Sequence, residues 1–246
     1  MRKTTAGEKN FTLNKTICVL GLCLSMGAAA SAAPAENYDA GKISIDLGTS
    51  LSPTLATSPG NSFDAKNDFY GGLTVGLGHN FALQYQYDKT EAKEVNTYFD
   101  ASGYTEKDNG KVTVNTFNVL YKINPKVSAY IGNRHASGEL HSQWGYYDYD
   151  GSFTADSVTH VSASKNYVQA GVIGQVELAK NLSGWGNVGI GPDLMTCELG
   201  VGYHITSNLT ANIAYDYAKY KDIASFGGHD YDITTKGWKA GITLSF

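Results

Sequence analysis

Gly237-Trp-Lys-Ala-Gly-Ile-Thr-Leu-Ser-Phe246 closes the chain. In an extended backbone, Trp238, Ala240, Ile242, Leu244 and Phe246 fall on one face, and Gly237, Lys239, Gly241, Thr243 and Ser245 on the other. Strand side chains alternate with a period of two, so the stretch reads as a β-strand with one apolar face and one small or polar face. The same alternation recurs upstream as a repeated hairpin. Val75 to Tyr87, Val119 to Ile131 and Val201 to Tyr215 are three copies, and Gln175 to Trp185 is a weaker fourth. Each copy is an alternating strand, a short Asn-bearing turn and a second alternating strand. Asn, Pro and Gly suit such turns because they supply or tolerate the backbone angles required.

Tight turns are therefore expected near 78–80, 124–126, 179–181 and 205–208. The connections between hairpins are longer and polar, over 52–66, 91–110, 138–164 and 219–232, with one short connection near 191–194. Ten strands are expected, near 42–51, 67–77, 81–90, 112–123, 127–136, 166–178, 182–190, 195–204, 208–218 and 233–246. The segment 182–190 has the weakest pattern, and losing it with a partner would leave eight. Alternating short turns and long connections is the asymmetry of a transmembrane barrel, short on the periplasmic side and long outside. An even strand number puts both termini on the periplasmic side.

The N-terminus fits export. Arg2, Lys3, Lys9 and Lys15 precede an apolar run from Ile17 to Ala30, followed by small residues Ser31-Ala32-Ala33. That order is a secretory signal peptide. The run is short against the roughly 20 residues of a membrane-spanning helix. The expected organisation is a signal peptide over 1–32, removed after Ala32 or alternatively Ala35, and one barrel domain over 33–246. Leu22 ahead of Cys23 is too bulky for a lipoprotein signal. Cys197 alone remains in the exported part, so no intrachain disulfide framework is available.

Without residues 1–32 the chain carries 15 Lys+Arg against 22 Asp+Glu, a net charge of −7. A mildly acidic chain without a basic cluster argues against nucleic acid as partner. The 17 Tyr and 28 Gly against 5 Pro are unusual for a soluble enzyme. No apolar run after Ala35 approaches a membrane-helix length, so any crossing would be by strands. With the apolar faces outward, Ile43, Leu47, Leu73, Leu83, Val119, Ile131, Val172, Val201 and Ile213 meet lipid, and the Tyr-rich strand ends form interface girdles.

The terminal pattern Trp238, Ala240, Ile242, Leu244, Phe246 resembles the C-terminal signal of outer-membrane barrels, which the barrel-assembly machinery reads. On that pattern the chain resembles the small porin-like outer-membrane β-barrel family of diderm bacteria. The resemblance implies an all-β, antiparallel up-and-down transmembrane barrel in the bacterial outer membrane, with outer-membrane lipid and the assembly machinery as partners.

The interior should hold Asp46, Asp88, Lys122, Arg134, Glu177, Glu198, Asp216 and Lys239. Sorted along the strands, Asp88, Arg134 and Asp216 form an outer layer, Asp46, Glu198 and Lys239 a middle one, and Lys122 and Glu177 a periplasmic one. Mixed signs in each layer suit charge pairing in a narrow lumen, since pairing offsets part of the desolvation cost. Because first and last strands are neighbours, Lys239 is expected to pair with Asp46. A plugged barrel with a structural or surface-interaction role is the first functional reading. A narrow porin is the alternative, and an outer-membrane hydrolase or protease the second alternative.

Among the connections, His141 to Gly151 is dense in aromatics and acids and is the expected contact for an extracellular ligand, within a loop at 138–164. Asp148-x-Asp150-Gly151 has part of a calcium loop's spacing. His229-Asp230 could activate water, and His135, Ser137 and Glu139 could make a hydrolase rim, although neither set is complete. No catalytic residue, cofactor or metal site is assigned. Glycines such as Gly71, Gly72, Gly171, Gly200 and Gly202 sit inside strands, where they relieve crowding or allow bends.

Overall fold

The alternating segments pair with their sequence neighbours in the computed structural model, which describes residues 34, 35, 37–58, 62–99, 104–226 and 229–246. The leader expected over 1–32 lies outside the described residues. The strands are β1 (Ile43–Ser58), β2 (Ser62–Asp64), β3 (Phe69–Gly78), β4 (Phe81–Glu91), β5 (Val95–Phe99), β6 (Tyr104–Asn124), β7 (Val127–Tyr147), β8 (Phe153–Ala179), β9 (Leu182–Gly191), β10 (Leu194–His204), β11 (Leu209–Phe226) and β12 (His229–Ser245). Among the described residues these form one 12-stranded antiparallel sheet. β12 also pairs with β1, from Ser44 opposite Ser245 to Ser58 opposite Asp232, and this closes the ring. β2 sits beside β1 and β5 beside β6, off the ring. The remaining ten strands are those expected from the pattern. β9 is paired along its length on both sides, so the eight-strand alternative does not hold.

The four tight turns fall where the Asn-bearing segments placed them. At the β3–β4 turn, His79 and Asn80 have φ of 53° and 69°. Two consecutive positive values are the signature of the type I′ hairpin, whose twist matches that of the flanking strands. Asn181, with φ of 66°, serves the β8–β9 turn.

The long connections differ from expectation. Residues 91–110, 138–164 and 219–232 are largely paired strand. Glu139 lies opposite Ser162, His141 opposite His160 and Tyr147 opposite Phe153. The segment expected as a loop at 138–164 is thus a β-hairpin with its turn at 148–152. The physical reason is that their outward face is polar and their inward face is broken by small residues such as Gly110, Gly138 and Ala163, so they lack the regular alternation that marks a strand in sequence. Their Thr, Val and Tyr content still favours extended pairing.

The wall is uneven. β9 and β10 stop at Gly191 and Leu194 while β8 and β11 continue past them. Above this low point the Tyr167 hydroxyl donates to the Lys221 carbonyl at 2.9 Å, joining β8 to β11, and the Lys165 ammonium meets Asp193 of the β9–β10 turn at 2.9 Å.

The faces sort as expected. Leu47, Leu73, Val119, Ile131, Val172, Val201 and Ile242 are exposed on the outside of the ring. Ser44, Thr116, Asn118, Gln169, Asn212 and Thr243 are buried inside it. An apolar exterior around a polar interior inverts the soluble arrangement and matches a barrel whose outer solvent is hydrocarbon. Two apolar layers cap the polar interior. Leu55, Val112, Val114, Ala136, Tyr167, Leu194, Ala218, Tyr220 and Ile223 make the one toward the long extensions. Tyr38, Ala82, Leu120, Tyr130 and Ile173 make the one toward the tight turns.

Candidate functional site

Between those layers the charges converge. Asp46, Asp88, Arg134, Glu198, Asp216 and Lys239 all line one cavity of about 40 Å³. Register explains the convergence. Glu198 on β10 lies opposite Asp216 on β11, and Lys239 on β12 pairs in the ladder with Ala214, two positions from Asp216 on the same face. Lys239 Nζ forms an ion pair with Asp88 across the lumen and lies 3.6 Å from Asp216. Arg134 Nη1 donates to the Tyr220 hydroxyl at 3.2 Å. Glu198 is buried.

The expected Lys239–Asp46 pair is replaced by Lys239–Asp88 and Lys239–Asp216. The strands are neighbours as reasoned, but Lys239 lies opposite Ser50 and Asp46 opposite Thr243. Asp46 instead accepts a 2.7 Å hydrogen bond from the Thr243 hydroxyl, which in turn accepts one from Asn212 at 2.7 Å. The expected outer and middle layers are a single one. The stagger of tilted strands, which sequence position along each strand does not carry, brings them level.

The expected periplasmic layer does not form. Lys122 lies over the Tyr38 ring, 5.2 Å from its centroid, and Glu177 is exposed at the end of β8. What occupies that end is the chain's own N-terminal segment. Tyr38 is buried in the mouth, and its carbonyl accepts from Gly78 N–H at 2.9 Å. Pro34 and Ala35 lie against Lys122, Pro125 and Ile173 on one side of the ring and against His204, Thr210 and Phe246 on the other. Sequence reasoning missed this segment, because a short polar stretch ahead of the first strand carries no periodic signal.

It also missed the inward tyrosines. Tyr70, Tyr130, Tyr167 and Tyr220 are buried inside the ring. Parity along the strand could have found Tyr130, which stands between the outward Ala129 and Ile131. A methyl group at Gly171 or Gly189 would overlap the Tyr130 hydroxyl, and one at Gly48 or Gly241 would overlap that of Tyr70. Large rings laid across small residues of neighbouring strands fill the lumen without widening it.

Several of the surface sets are engaged by their strand neighbours. His135 Nδ1 lies 3.1 Å from Asn166 Oδ1, and Glu139 is held by Lys111 at 2.9 Å. In the β7–β8 turn, Asp148 accepts from the Thr154 hydroxyl at 2.6 Å and Asp150 from the Ser152 hydroxyl at 2.7 Å. These hydroxyls take the oxygens that a calcium ion would use, and among the described residues no cluster suits a metal. Gly227 and Gly228 of the His229 motif lie outside the described residues. The expected aromatic segment places Tyr147 against Phe153, ring centroids 5.3 Å apart, with Lys107 Nζ 4.1 Å from the Phe153 centroid. Tyr149 at the tip is fully exposed.

No protein-family model matches the chain, and no curated protein matches it. Among solved structures it is similar to Ail, the attachment invasion locus protein of Yersinia pestis, at 14% identity and a TM-score of 0.44, covering 84% of this chain and 99% of that one. It is similar to the outer membrane protease OmpT of Escherichia coli at 11% identity and a TM-score of 0.48, covering 83% and 97%. Neisserial surface protein A is matched at 12% identity and a TM-score of 0.37, covering 83% and 96%. The fold itself rests on the strand pairing described above.

Proposed function

We propose that this chain is a bacterial outer-membrane β-barrel with a closed lumen, whose role lies in envelope structure and in surface contact made by its extended hairpins. The observation that carries the reading is the blocked axis. The charged layer leaves about 40 Å³, room for about three water molecules. Apolar layers lie above and below it, and Pro34, Ala35 and Tyr38 sit in the mouth at the tight-turn end. An outward apolar belt supports residence in a membrane, and the antiparallel closure satisfies every wall strand without an open edge. On this reading residues 1–32 direct export and are removed, the tight-turn end with both termini is periplasmic, and the extensions are extracellular. The terminal residues Trp238, Ala240, Ile242, Leu244 and Phe246 would engage the assembly machinery. The β7–β8 hairpin, with Lys107, Tyr147, Tyr149 and Phe153, would meet an extracellular partner.

Single-channel recording in planar bilayers tests the proposal. The protein, shown to be folded by heat-modifiable gel mobility, is expected to give no discrete current steps. Reproducible steps that vanish on replacing Lys239 or Arg134 would establish a pore instead.

A further inference from the structure

At the extracellular end the interior of the ring changes character. Above the apolar layer of Val112 and Ile223 lies a cavity of about 350 Å³. Its walls come from β1, β2, β6, β7, β8, β11 and β12, and its lining is dominated by side chains such as Leu55, Phe63, Val161, Ile223 and Ile233. Two glycines on neighbouring strands open it. Gly138 on β7 stands opposite Val112 on β6, and Gly110 on β6 stands opposite Leu140 on β7. A Cβ at Gly138 would meet Ile233 Cδ1 at 3.5 Å and Ile223 Cδ1 at 4.0 Å, so the absent side chain points into the cavity. Leu140 is exposed at the rim, so among the described residues the cavity is not covered there.

Apolar side chains around a recess that faces water are costly unless something covers them. The lining carries the apolar layer of Leu55, Val112 and Ile223 upward, away from the charged layer, and leaves it around an open volume instead of a packed one. Binding sites for small molecules are concave, mostly apolar and of this size. An apolar cavity of about 150 Å³ is known to hold one benzene, so this one has room for about two rings.

We infer that the extracellular vestibule is a binding site for an uncharged apolar solute of one or two rings, or of the same bulk in aliphatic carbon. Its floor is closed by the Tyr167–Tyr220 edge contact, ring centroids 5.5 Å apart, with the charged layer beneath. The site therefore captures its ligand without passing it through.

The test uses the folded protein in lipid nanodiscs with naphthalene as probe, reading its fluorescence and the protein's heat-modifiable mobility. Wild type is expected to add a saturable, one-to-one component over empty nanodiscs. Gly138→Phe, which projects a ring into the cavity, is expected to weaken that component by at least about tenfold, while Gly138→Ala keeps it. If Gly138→Phe fails to fold, Val161→Phe fills the same space from β8. A wild-type signal no larger than that of empty nanodiscs overturns the inference, as does a saturable signal that survives a folded cavity-filling variant.

Discussion

Lys239 concentrates much of the lumen's electrostatics in one side chain. It faces Asp88 and Asp216, with Glu198 and Asp46 on the same cavity. Replacing it by Met leaves several enclosed carboxylates short of a cation. Loss of one partner from a buried pair typically costs about 3–5 kcal/mol. Urea unfolding of liposome-refolded Lys239→Met is expected to show a loss of that order, and a second substitution, Asp88→Asn, should recover part of it. The residue types of this cluster were legible in the sequence and their partners were not, because pairing depends on strand stagger rather than on position along each strand. At the outer rim, Glu91 is held by Lys66, and then by Lys89, so that its carboxyl falls from an ordinary 4.5 to about 2. Its folded value lies below the unfolded one, so its contribution is complete above about 4.5 and disappears as pH falls toward 2. The gap in unfolding midpoint between wild type and Glu91→Gln should follow that course. Because the site is at the surface, the gap should stay under about 1 kcal/mol.

At the scale of elements, the strands act as two-faced plates whose outer face is addressed to hydrocarbon. Val119 on β6 and Ile131 on β7 are ladder partners in the middle of the exposed belt. Val119→Arg should destabilise the bilayer-embedded protein by about 2–4 kcal/mol, whereas the same change at an outer-rim position should cost about 0–1. A cost independent of depth would overturn the lipid-facing assignment. Inside, Gly171→Val forces the Tyr130 ring from its place, and overpacking of this kind typically costs about 1–3 kcal/mol. The same unfolding assay reads it. The ten wall strands were legible because the outer face of each alternates, from Ile43, Ile45 and Leu47 in β1 to Ile242 and Leu244 in β12, most weakly in β9. The extensions of β6, β7 and β8 were not, since Ser137, Glu139, His141 and Ser162 make the outward face polar while Gly110, Gly138 and Ala163 leave few large apolar residues on the inward one. Pairing, not burial, makes them strand.

For the whole molecule, three successive obstructions lie along the lumen: the segment of Pro34, Ala35 and Tyr38, the charged layer, and the Tyr167–Tyr220 contact. Removing only the first should leave bilayers silent. Combining deletion of residues 33–38 with Lys239→Ala and Tyr220→Ala is expected to produce current steps, provided gel mobility shows a folded barrel. Closure was open to argument from the sequence, as a narrow ten-stranded ring holding charges of both signs. The N-terminal segment that completes it was invisible, because Tyr38 is held by Gly78, Ser128 and Lys122 from separate strands rather than by a repeating pattern.

That segment bears on how the protein can be handled as a scaffold. The polypeptide ahead of β1 already enters the opening bordered by Phe246, so a bulky domain fused close to residue 34 would compete with the protein's own residues for that space. The opposite end has no such conflict. The turn around Tyr149 stands clear of the ring on a long paired stalk. Cargo meant for display belongs there, where an added sequence needs only to begin and end beside Asp148 and Ser152.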